Sequence, residues 1–110
     1  MRYRDGGGTN PIGITQLSNE IPTEFVLYQN YPNPFNPSST IKYQVAHTGL
    51  IKLTVYDVVG REVSKLVNEF QNSGTYSIDF EGDDLTSGIY FYTLEADGMR
   101  IDSKKMVLVK

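Results

Sequence analysis

The chain has 110 residues, 39% of them hydrophobic, and a formal net charge of −3, which is room for one small domain and a tail. Its ten Lys and Arg are scattered until the last few positions, so the dense basic face that captures nucleic acid is excluded. With no cysteine, disulfides, thiolate metal sites and a Cys nucleophile are excluded as well, while the redox compartment stays open.

Residues 1–24 carry GGG at 6–8, NP at 10–11 and Pro22, with isolated apolar residues and no period. They read as a flexible linker, with a domain over residues 25–110. MRYRDGGGTN has charge but no apolar core, so it is not a secretory signal; an exported chain would carry that signal on a larger precursor, of which this is the last piece. No apolar run approaches the length of a membrane span, and no membrane insertion is expected.

Short strands follow. Phe25 to Gln29 opens, and then Ile41, Tyr43 and Val45 alternate with Lys42 and Gln44, the period of a half-buried strand. Ile51, Leu53 and Val55 repeat the pattern, and DVVGRE (57–62) supplies a tight turn with Gly60 available for a positive φ. Glu62–Val67 reads as a short, partly polar strand, although Val63, Leu66, Val67 and Phe70 also fall at helical spacing. NEFQNSG (68–74) is a longer connection. Tyr76, Ile78 and Phe80 then point one way, EGDDLTSG (81–88) is a loop, and IYFYTLEA (89–96) turns through ADG into Met99–Val109. Seven short antiparallel strands at regular spacing predict an all-β, immunoglobulin-like sandwich of two sheets. Leu85-Thr86-Ser87-Gly88-Ile89-Tyr90 has the shape of a tyrosine corner, with Thr86 where Asp is usual; Tyr90 is that corner or simply a core aromatic.

Little chemistry is on offer. The single His47 lies in the turn AHTG without a nucleophile motif, and one His is too few for zinc. Asp79, Glu81, Asp83 and Asp84 around Gly82 are a candidate calcium cluster or a solvated turn, at a spacing that matches no EF-hand loop. Tyr56 and Tyr92 on an outer face, with Tyr28 and Tyr31 beside the proline loop, are candidates for a sugar platform or for ordinary packing. No enzyme and no cofactor emerge.

YPNPFNPSST (31–40) places Pro32, Pro34 and Pro37 between two strands. Each fixes φ and removes a backbone donor, giving a stiff extended corner with Phe35 as a plug for the sandwich edge. Asn30, Asn33 and Asn36 are placed to tie their side chains to local backbone. LYQNYPNPFNPSSTIKYQV (27–45), LTVYDVVGREVSKLVNEFQNSGTYSIDF (53–80), LTSGIYFYTLEADG (85–98) and KKMVLVK (104–110) together resemble the C-terminal sorting domain of the type IX secretion system, found in Bacteroidetes and related phyla. The resemblance runs from about Phe25 to Lys110.

What it implies is a seven-stranded immunoglobulin-like domain that catalyses nothing. Such a domain addresses an N-terminally fused cargo, in transit through the periplasm, to the outer-membrane translocon. A sortase-like peptidase commonly then removes it, here within residues 1–24, leaving cargo released or on the cell surface. By position, the motif residues are Pro32, Asn33 and Pro34; Gly88, Ile89 and Tyr90; and Lys104, Lys105, Met106, Val107, Leu108, Val109 and Lys110. The last strand is expected to offer its bare edge to a receptor strand, or to a second copy as an edge-strand dimer. The alternative is a structural or carbohydrate-contacting accessory module of a secreted enzyme or adhesin.

Overall fold

The computed structural model describes residues 15–18 and 23–110, and the chain is all β. The strands are β1 (Thr15–Ser18), β2 (Val26–Leu27), β3 (Ser38–Val45), β4 (Gly49–Tyr56), β5 (Glu62–Gln71), β6 (Gly74–Glu81), β7 (Gly88–Ala96) and β8 (Met99–Leu108). They form two antiparallel sheets, ordered β1-β6-β3-β2 and β5-β4-β7-β8. β2 to β8 are the seven strands read from the sequence. β1 lies within the segment read as linker, and it pairs with β6 through Thr15–Ser77 and Gln16–Tyr76. The rest of residues 1–22, where a cargo-proximal cut was expected, lies outside the described residues.

The alternation in the sequence builds the core. Ile41, Tyr43 and Val45 of β3 and Ile51, Leu53 and Val55 of β4 are wholly buried, facing each other between the sheets. Tyr43 and Tyr76, cross-strand neighbours on β3 and β6, stack with ring centroids 5.5 Å apart. The Tyr43 hydroxyl donates to Gln71 Oε1 (2.8 Å) and Tyr76 to the Asn72 carbonyl (2.7 Å), so neither buried oxygen lacks a partner.

The helical spacing in β5 comes from bulges. Leu53 pairs with Val67 and Thr54 with Lys65, leaving Leu66 extra; Val55 pairs with Ser64 and Tyr56 with Glu62, leaving Val63 extra. Each extra residue resets the in-out alternation, so Val63, Leu66 and Val67 all reach the core from a strand. Phe70, the fourth member of that spacing, is 73% exposed. The strand also runs on through Gln71, into the stretch read as a connection.

Tyr90 is both a corner and a core residue. It is buried at the start of β7, where the chain crosses from β6 to the other sheet, and its hydroxyl donates to the Thr86 carbonyl at 2.8 Å. A backbone acceptor explains why Thr can stand at that position.

Burial pushes the Tyr92 hydroxyl from the ordinary 10.0 up to about 12, with the Asn30 amide acting against the shift. Burial likewise raises Tyr43 and Tyr76. The unfolded chain loses these protons near pH 10 while the fold holds them, so stability present below pH 10 is lost as pH rises toward about 12. The guanidinium midpoint should therefore be lower at about pH 11 than at about pH 8; equal midpoints would contradict the assignment.

Candidate functional site

The proline segment ties the two sheets together along one side of the sandwich. Its first half belongs to the β3 sheet. Val26 and Leu27 pair with Gln44 and Tyr43, the Tyr28 amide donates to the Lys42 carbonyl, and Tyr31 and Thr40 exchange bonds of 3.0 and 2.8 Å. Its second half belongs to β8 of the opposite sheet. The Phe35 amide donates to the Val107 carbonyl (2.9 Å), and the Val109 amide donates to the Phe35 carbonyl (2.9 Å). Proline explains the switch, because a segment lacking donors at 32, 34 and 37 cannot continue as a paired strand of either sheet. The Tyr31–Pro32, Asn33–Pro34 and Asn36–Pro37 bonds are all cis.

Side chains hold this crossing in place. Tyr92 Oη donates to the Tyr28 carbonyl (2.7 Å) and accepts from the Asn30 amide (2.7 Å). Asn30 is buried, and its Nδ2 donates to the Pro32 carbonyl (3.1 Å) and Ser39 Oγ (2.8 Å). Asn33, expected to bond locally, instead accepts the Val107 amide at 2.9 Å. Phe35 is the expected plug, 1% exposed and edge-on to Phe80 with centroids 5.9 Å apart. Gly82 closes over it; a Cβ there would sit 3.0 Å from Leu108 Cδ2 and 3.3 Å from Phe35 Cε2.

Three stretches far apart in sequence thus meet on β8. On one side Gly88, Ile89 and Tyr90 pair with Leu108, Val107 and Met106. On the other lie Asn33 and Phe35, the latter bridging in parallel to Leu108. Gly88 has φ +154° with nothing within 4 Å of a would-be Cβ, so conformation demands the glycine and room does not. Met106 and Leu108 face the core, 0% and 1% exposed, while Val107 and Val109 face out. Lys104 pairs with Asp102 at 3.5 Å, and Lys110 Nζ donates to the Asp83 carbonyl at 2.6 Å.

The other candidates come apart. His47 is exposed, and its ring meets Phe25 edge-on at 5.0 Å. Asp79 accepts from Thr40 Oγ1 (2.9 Å) and Glu81 from Ser38 Oγ (2.6 Å) along β6, while Asp83 and Asp84 sit in the loop beyond. Among the described residues no three acidic or histidine side chains are grouped to hold a metal, so the calcium cluster is not formed. Of the sugar-platform tyrosines, Tyr31 is 81% exposed and Tyr28 half-buried beside the proline loop, but the outer-face pair is not formed. Tyr92 is wholly buried, whereas Tyr56 lines a groove of about 590 Å³ with Phe91 and Val59 on the outer face, so the two tyrosines do not share a surface. Among the described residues no helix is long and apolar enough to cross a membrane.

Residues 29–110 match the family model described as the secretion system C-terminal sorting domain. The chain belongs to that family. No curated protein matches it. The match takes in the crossing segment and all of β3 to β8 of the sorting domain, but leaves out β1 and β2. A type IX sorting signal implies export toward the cell surface or beyond, fusion to a cargo, and contact with the secretion machinery.

Proposed function

We propose that the domain is a non-catalytic address, read at the pole where the crossing segment, the start of β7 and the end of β8 meet. One observation supports this: Pro32–Pro34, Gly88–Tyr90 and residues 104–110 are separate in sequence and adjacent in space. Buried members (Tyr90, Met106 and Leu108) shape that pole, and exposed members (Pro32, Asn33, Pro34, Ile89, Lys105, Val109 and Lys110) present it. In this reading the cargo is fused ahead of the domain, passes through the periplasm and crosses the outer membrane at the translocon. A sortase-like peptidase then cuts within residues 1–24, releasing the cargo or transferring it to the surface. The domain supplies no reacting group of its own.

The test is a fusion of the full chain to the C-terminus of a periplasmic reporter, in a host possessing type IX secretion. The reporter should appear outside the cell or on its surface. A reporter that stays in the periplasm, on an intact fusion, contradicts the reading.

A further inference from the structure

A partner strand has no free edge to join at the end of β8. The Lys105 carbonyl accepts from Gln29 Nε2 (2.7 Å), the Val107 amide is held by Asn33, and the Val107 carbonyl and Val109 amide are held by the Phe35 backbone. Farther along, the Ser103 amide donates to Asp102 Oδ1 at 2.7 Å. The segment that does this is itself anchored through Tyr92, Asn30 and the Gly82 amide, which donates to the Pro37 carbonyl at 2.7 Å. Edge protection of this kind is how sandwiches avoid pairing with other chains. It removes both the receptor strand and the edge-strand dimer as uses of residues 107–109.

What remains legible from outside is the outer face. With Phe35 and Leu108 pointing inward side by side, Val107 and Val109 point outward by strand alternation, and Pro34, next to Phe35 in sequence, is exposed. Ile89, 42% exposed, stands directly across from Val107, and Val109 is 47% exposed. Elsewhere this face carries Thr54, Thr93, Ser103, Glu95 and Arg100, together with Tyr56 and Phe91 at the groove that Val59 also lines. Ile89, Val107 and Val109 form the apolar row at the pole where the three motifs meet. Beside it Lys105, opposite Phe91, is exposed and has no ion pair among the described residues, unlike Lys104.

We infer that the sorting machinery grips this outer face by its side chains, through Ile89, Val107, Val109 and Pro34 with Lys105 at the rim. The partner is a protein surface that presents apolar side chains beside a carboxylate, the usual pairing of an apolar centre with a charged rim. The inference rests on the sorting reading and names where that reading acts.

The test uses the same full-chain reporter fusion with three variants. Ile89→Glu and Lys105→Glu should each lower exported reporter by about tenfold or more, a loss of 1.4 kcal/mol or above in recognition. Phe70→Glu, at an apolar site on the far edge strand β5 that is more exposed than Ile89, should leave export unchanged. Circular dichroism and melting of each purified chain accompany the assay, and Lys105→Glu keeps it decisive should Ile89→Glu disturb its strand. Wild-type export by folded Ile89→Glu and Lys105→Glu overturns the inference, as does an equal loss in Phe70→Glu. So does a self-association, or a binding to lipid vesicles, that Ile89→Glu abolishes while export persists. Failure of the unmutated fusion to leave the periplasm is a separate result that removes the sorting reading, and the inference with it.

Discussion

Replacing Phe35 with alanine should destabilise the domain by about 3–5 kcal/mol, the usual cost of emptying a large buried aromatic site. The site is poorly able to collapse. Phe35 is 1% exposed, rests on Phe80 and Leu108, and lies beside Gly82, where even an added Cβ would sit 3.3 Å from its ring. Its own backbone carries two of the bonds to β8, so a side chain that no longer seats there loosens the seal as well. A domain of this size holds about 5–15 kcal/mol in all, so the melting temperature should fall by roughly 20 °C. A drop of only a few degrees would mean that the crossing segment is draped over the sandwich and does not close it.

Removing residues 106–110 should abolish export and leave the cargo in the periplasm. The deletion takes out Met106 and Leu108, both fully buried, together with the strand positions that Ile89, Asn33 and Phe35 bond to. Two core side chains of this kind contribute about 4–10 kcal/mol, comparable to the whole stability, so dichroism is needed beside the export assay. Lys110→Ala is the gentle companion. It removes one exposed ammonium bonded to the Asp83 carbonyl and should change stability by no more than about 0.5 kcal/mol. Unimpaired export after the deletion would contradict a role for the last strand.

Much of the fold was legible because single-faced strands announce themselves. Ile41, Tyr43 and Val45 alternate with polar neighbours, and the structure buries them as the period requires. The pattern misled where that simple contrast broke down. In β5 two bulges turned a strand's inward residues into a helical spacing. In β7 both faces are apolar, Tyr90, Tyr92 and Leu94 against Ile89 and Phe91, so nothing in the sequence showed that Tyr92 faces in. The candidate site was legible as three separate blocks, but their meeting was not. Asn33 and Phe35 find Val107 across more than seventy residues, and a bond from a side-chain amide to a distant backbone leaves no periodic trace. That missing contact is also why the strand edge looked free from the sequence alone.

The central claim is that this chain is an address for the secretion machinery. Its most direct measurement is fractionation of a reporter carrying the full 110-residue chain in two matched strains, one with the type IX translocon and one without. The account predicts reporter outside or on the surface of the first strain and confined to the periplasm of the second. Equal distribution in the two strains would contradict it.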